Sequence, residues 1–255
     1  MILTRISLRN IRGFLDGDAA TDLALPHEPG WYVFAGRNGS GKSTLLRAVA
    51  LALAGPEYAR PLMAGAPGWL RQDAQSGAVT VEFLRQPEDD MRGTGKPPKA
   101  PIRATMEWHR SPDGPELIQQ SKPARQKELT GPWRGPWGPN PKGWLVVGYG
   151  PFRRLTGHAA EAQKAMVGPA HERRLVSLFR EDASLLEAVG WLQDLRFRSL
   201  EKRDGAKELL HQVQRLLNDG LLPDGATIDK VDPDGLWVRR GSSVVELKEL
   251  SDGYR

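Results

Sequence analysis

No cysteine occurs in the 255-residue chain, which excludes disulfide bridges, thiolate metal sites and a cysteine nucleophile. That usage is compatible with a reducing compartment, and the cytoplasm is the expected location. The five histidines, at positions 27, 109, 158, 171 and 211, show no H-x-x-x-H or H-E-x-x-H spacing, so no histidine-based metal centre is expected. No apolar run approaches the roughly twenty residues that cross a bilayer, and the opening Met-Ile-Leu-Thr-Arg lacks a signal-peptide pattern. A Gly-x-Ser-x-Gly elbow is also missing, and the adjacent carboxylates Asp89 and Asp90 fall in a polar loop where solvation is their simplest role. Hydrophobic residues make up 39% and charged residues 26%, ordinary values for a chain that buries a sizeable core.

Against these absences stands one strong motif. Gly36-Arg-Asn-Gly-Ser-Gly-Lys-Ser43 satisfies G-x-x-x-x-G-K-[ST], with the short apolar run Trp31 to Phe34 before it. Behind it Leu45, Leu46, Val49 and Leu53 recur at helical spacing, which predicts a helix from Lys42 to about Ala54. Such a strand-turn-helix is a phosphate-binding loop. Gly36, Gly39 and Gly41 let the backbone N–H groups wrap a polyphosphate, and the helix start directs its unpaired N–H groups at the same place. Arg37, Asn38 and Ser40 complete the loop. Lys42 then reaches the β- and γ-phosphates, Ser43 places a hydroxyl on Mg²⁺, and Thr44 reaches the α-phosphate. ATP and Mg²⁺ are therefore the expected ligands.

Charge is unevenly spread. The net charge is +5, yet residues 91–155 hold twelve Lys or Arg against four acids, a local surplus of +8, while the rest of the chain sums to −3. This stretch reads either as an electrostatic footprint for DNA or RNA or as a solvated loop. Within it, Trp133 and Trp137 either stack on bases or pin an irregular loop to the protein body.

Along the chain, Ile2, Thr4, Ile6 and Leu8 alternate as a half-buried edge strand that turns at Asn10 to Gly13. Leu23 to Leu25 reads as a second short strand, and Gly55 to Gly68 as a Gly/Pro-rich break. Ala78 to Leu84 and Ile102 to Trp108 read as an antiparallel pair, Pro112 to Gly143 as irregular, and Trp144 to Gly148 as a central strand. Helical faces follow at Leu175, Leu178 and Phe179, at Leu185 to Leu195, and at Leu209 to Leu217. Three short strands close the chain, at Thr227 to Val231, Leu236 to Arg239 and Val244 to Leu247. The expected organisation is α/β: a nucleotide-binding lobe with an antiparallel β subdomain over 1–157, holding a Pro/Gly/Trp-rich segment at 87–143. A helical insertion would follow over 158–220 and a β return over 221–255.

The return ends on Leu250-Ser-Asp-Gly-Tyr-Arg255. Leu-Ser-x-Gly after a helical insertion, on a chain opening with Asn10-Ile-Arg-Gly-Phe14 and Gly-x-Asn-Gly-Ser-Gly-Lys-Ser-Thr, resembles ABC-type ATPases of the RecF/SMC-like branch. The compact ATPases of overcoming-lysogenization (OLD) nucleases and of Septu-type and retron-associated phage-defence systems are similar. The resemblance covers the framework, about half the chain; residues 87–143 have no counterpart in it. It implies that Ser251 and Gly253 of one copy cap the γ-phosphate held by Lys42 of another, giving a homodimer that sandwiches two ATP molecules head to tail. Read alone, Leu-Ser-Asp-Gly is a plain helix N-cap.

Further implications are an ATPase acting on nucleic acid or controlling a nuclease partner or domain, with no membrane role. A nucleotide sensor or scaffold and a P-loop phosphotransferase stand as alternatives. The family's Walker B strand, ending in Asp-Glu, follows the signature, and the sequence stops before it. An N-terminal part that binds ATP with little turnover is the expectation. No Q-loop Gln is identifiable in Tyr149 to Arg154, with Gln163 a displaced candidate, and Arg153 and Arg154 read as contacts to phosphate or DNA or as surface ion pairs. Arg12 or Phe14 would border the adenine by the same resemblance, with core packing the simpler role for Phe14.

Overall fold

The computed structural model describes residues 1–17, 21–63, 68–93, 96–111, 114–118, 131–138, 142–151, 170–180, 186–220, 222 and 225–249. It divides into two compact units, the first made of 1–149 with 168–179 and the second of 150–167 with 180–255. Both combine helices with antiparallel sheet, consistent with an α/β protein.

In the first unit a five-stranded sheet has the order β2-β1-β3-β4-β5. Its strands are β1 (Ile2–Arg9), β2 (Asp22–Ala24), β3 (Ser76–Leu84), β4 (Ile102–Ser111) and β5 (Gly114–Ile118). Register and alternation agree. Ile6 lies opposite Val81 and Leu8 opposite Val79, which in turn face Ala104 and Met106, so one face of the sheet is continuous hydrocarbon. The other face carries Arg5 paired with Asp22, Arg103 bonded to Glu82 at 2.5 Å and the Thr80 and Thr105 hydroxyls 3.0 Å apart. This is the period-2 segregation that the sequence pattern requires.

The helix α1 (Lys42–Ala54) packs against β3 and β4 and buries Leu45, Ala48, Leu51 and Ala52. Tryptophans complete this core. Trp69 and Trp108 stack with centroids 6.1 Å apart, Trp69 meets Phe179, and Phe83 meets Trp144 edge-on at 5.6 Å. Helices α2 (Pro56–Met63), α3 (Ala170–Arg173) and α4 (Val176–Phe179) lie in the same unit.

Several expectations are corrected. β1 is not an edge, because the three-residue β2 covers its free side. The Gly/Pro-rich break contains α2, whose Pro56 occupies the first helical position, where the missing N–H costs no bond. The irregular region after Pro112 contributes β5, paired with β4 from Glu107 to Ser111. Trp31 to Ala35 and Trp144 to Gly148 are assigned to no strand. A continuous apolar run favours an extended backbone, but a strand exists only through a neighbour's N–H and C=O groups. No described residue forms a ladder with either run. Trp31 is 97% and Val33 88% exposed, while of the second run Trp144 is buried and Gly148 N–H bonds Arg174 O at 2.9 Å.

The second unit joins helices α5 (Leu186–Leu200) and α6 (Ala206–Asn218) to a three-stranded sheet, β6 (Thr227–Asp232), β7 (Gly235–Arg240) and β8 (Ser243–Glu246). Leu192, Leu195, Leu210, Ile228, Val231 and Leu236 form its core. Two polar links close it. Asn218 Oδ1 accepts from Ile228 N–H at 2.7 Å, and Gln193 Nε2 donates to Asp232 O and Pro233 O at 2.9 Å each.

Candidate functional site

Helix α1 starts at Lys42, at the point the motif requires, with Gly41 as N-cap in the left-handed region at φ +91°. The first helical bond runs from Leu45 N–H to Gly41 O at 2.8 Å. The N–H groups at the helix start therefore have no intrahelical acceptor, no side chain caps them, and no acid sits in the first turn. The macrodipole's positive end is thus left uncompensated by the protein, which favours an anion there.

The loop before the helix is shaped by close approaches. Ser40 Oγ would lie 2.7 Å from a Cβ at position 36, so Gly36 leaves the room in which the loop folds back. Gly39 is left-handed at φ +83°, and Arg37 O accepts from Ser40 N–H at 3.2 Å. Lys42 Nζ donates to Gly36 O and to Arg37 O, each at 2.8 Å. An ammonium has three N–H bonds. Two anchor Lys42 across the loop, and one remains for an incoming oxygen.

Arg37, Asn38, Gly39, Ser40 and Ser43 are exposed, whereas Thr44 is buried with 8% of its surface accessible. Ser43 is therefore the more open of the two hydroxyls. A single hydroxyl suits Mg²⁺, which keeps most of its waters and is held largely by nucleotide phosphates. Among the described residues no group of three or more His, Asp or Glu gathers to bind a metal.

Two arginines neighbour each other, Arg12 from the turn after β1 and Arg47 on α1. The Arg12 guanidinium sits 5.0 Å over the Trp69 ring, and burial first, then the like charge of Arg47, pull its pKa below the ordinary arginine value. Arg47, on α1, donates Nε–H to Leu178 O at 2.8 Å. Phe14 is half-buried with its ring against Gly41. The sequence marked Arg12 and Phe14, but Arg47 carried no local signal, since its position follows from packing against residues 131 places away.

The tryptophans of the basic segment serve the body. Trp137 is buried, donates Nε1–H to Ala52 O at 2.8 Å and packs against Gly55. Trp133 meets it edge-on at 5.4 Å, and Trp144 donates to Asp90 O at 2.6 Å. Pinning, not base stacking, is what Trp137 does here. Several cations of the segment are also engaged: Arg103 with Glu82, Arg110 with Ala74 O and Arg71 O, and Arg134 with Arg92 O. Lys96, Lys99 and Lys142 are exposed. Lys122, Arg125, Lys127, Arg153, Arg154 and Gln163 lie outside the described residues, as do Ser251 and Gly253.

Residues 5–93 match the protein family described as an AAA domain. That span holds the last five residues of β1, the phosphate loop, α1 and β3, and the match supports a nucleotide-binding P-loop ATPase, a class that usually uses Mg²⁺. No curated protein matches the chain. No helix among the described residues is long and apolar enough to cross a membrane.

Proposed function

We propose that this chain binds Mg-ATP at Gly36 to Thr44 as part of an ATP-driven switch of the RecF/SMC-like kind. The carrying observation is the Lys42 ammonium anchored across a glycine loop, ahead of a helix start with no cap and no acid. Lys42 neutralises the β- and γ-phosphates, and the loop's N–H groups hold their oxygens. When bound, Mg²⁺ would supply charge neutralisation at the same phosphates, with the Ser43 hydroxyl among its ligands.

The switch itself rests on a second copy. Ser251 and Gly253 of that copy complete the γ-phosphate site, so ATP holds two chains head to tail; in ATPases of this kind hydrolysis frees them, a change driven by differential contacts. The output is an action on DNA or RNA, or control of a nuclease partner in repair or phage defence. ATPases of this type often dimerise, and the exposed cations of 91–155 favour a nucleic-acid contact.

Calorimetry tests the site. Lys42→Ala should abolish Mg-ATP binding that is millimolar or tighter in the wild type, and an unchanged dissociation constant contradicts the assignment. Light scattering tests the switch. Ser251→Arg should keep ATP binding and lose ATP-dependent dimers, whereas equal dimers in both proteins would leave a nucleotide sensor as the better description.

A further inference from the structure

The turn between β1 and the phosphate-loop region carries backbone strain at two residues that are not glycine. Asn10 has φ +54° and Arg12 φ +49°, and left-handed conformations in side-chain-bearing residues persist only where the surroundings over-determine them. Here they do. Asn10 Nδ2 donates to Ser76 O at 3.1 Å and Asn10 O accepts from Arg71 N–H at 3.0 Å. Arg12 N–H donates to Trp69 O at 2.9 Å while its guanidinium covers the Trp69 ring. Ile11 is fully buried, bridges both Phe14 and Leu70, and accepts from Phe14 N–H at 2.9 Å.

What this scaffold delivers is one contact. A Cβ at position 41 would lie 2.7 Å from Phe14 Cζ and 2.8 Å from Phe14 Cε2, so the tip of the ring rests on the backbone of Gly41. Gly41 is the residue whose conformation sets the direction of the first α1 N–H groups and of Lys42. Larger residues are excluded twice over, by φ and by the ring. The strained turn thus fixes a wedge against the hinge of the phosphate loop.

We propose that Phe14 is a positioning residue for nucleotide binding, acting through Gly41 to hold the loop in its anion-ready shape. The inference rests on the phosphate-loop reading given above. Pre-organisation of this kind raises affinity by removing the ordering cost of the loop. It concerns the phosphates, so it predicts equal effects on ATP and on inorganic triphosphate, whereas a ring that stacked on adenine would matter for ATP alone.

The test is calorimetric titration of the full chain with Mg-ATP and with Mg-triphosphate, in wild type, Phe14→Ala, Phe14→Leu, Gly41→Ala and the Phe14→Ala/Gly41→Ala double variant. Phe14→Ala is expected to weaken both ligands by about tenfold, equivalent to about 1.4 kcal/mol, with Phe14→Leu between it and the wild type. In the double variant the steric part of the Gly41→Ala loss is relieved, so the two effects should fall short of multiplying. Wild-type affinity in Phe14→Ala, full multiplication in the double variant, or a loss confined to ATP each overturns the proposal. Failure of the wild type to bind either ligand overturns the phosphate-loop reading itself. Should Phe14→Ala not fold, Phe14→Leu carries the same comparison.

Discussion

The two units solve the problem of burial with different side chains. The first closes over Trp69, Trp108, Trp137 and Trp144, each at most 4% exposed, and the second over a small aliphatic core, with Trp191 and Phe197 left 47% and 60% exposed. Large flat rings, Trp69 and Trp108 stacked on each other and Trp137 and Trp144 held by Nε1–H bonds, fix neighbouring segments at several points at once. Aliphatic side chains fill space but tie down less. The phosphate loop stands in the ring-clamped unit: Trp137 is bonded to Ala52 at the end of α1, and Phe14 meets Gly41 at its start. A site that must present backbone N–H groups in a fixed array benefits from a helix held at both ends.

This contrast is sharpened most by paired truncations. Trp108→Ala removes the ring stacked on Trp69 and should cost about 3–5 kcal/mol, lowering the urea midpoint and weakening Mg-ATP binding with it. Leu210→Ala in the second unit should cost about 2–5 kcal/mol by the same cavity logic, yet leave nucleotide affinity in the remaining folded protein unchanged. Equal losses of affinity in the two variants would break the distinction.

A smaller effect is expected at the far end of α1. Gly55 has φ +85°, and a Cβ there would lie 2.7 Å from Trp137 Cδ1. Gly55→Ala should destabilise by about 1–3 kcal/mol, as overpacking does, and Trp137→Leu in the same chain should recover the steric part. Denaturant melts of the single and double variants measure it.

The smallest effect belongs to the second unit and to pH. Asp232 is pulled down to about 2, first by its bond with Lys230, then by Trp237 Nε1–H. Its folded value lies below the ordinary carboxylate range, so its contribution is complete above about pH 4 and is lost as the pH falls toward 2. Asp232→Asn should flatten that part of the acid-melting profile of β6 and β7 without touching ATP binding. An unchanged profile would show that the turn draws nothing from this carboxylate.

Sequence reasoning reached the features that are local. Helix α1 begins at Lys42 because the motif and the apolar spacing agree, and β3, β4, β6, β7 and β8 follow from alternation and turn residues. It failed where the deciding partner lies far along the chain. Whether Trp137 meets a base or Ala52 O is decided 85 positions away, and the strand that shields β1 lies 15 to 19 positions on; nothing within Trp31 to Ala35 says whether it finds a ladder. Proline content hid α2, since Pro56 is harmless at a helix start but reads as a breaker in composition. At the site, the loop's residue types were legible, while the ring of Phe14 against Gly41 was not, because nothing in the turn Asn10 to Phe14 names its contact 27 residues on.

Hydrogen exchange with and without Mg-ATP reads the amides of the phosphate loop themselves. Exchange at residues 36–44 should slow on Mg-ATP binding, that over residues 186–249 should change little, and the slowing should be lost in Lys42→Ala. Exchange at 36–44 that is indifferent to saturating Mg-ATP would contradict nucleotide binding at this loop.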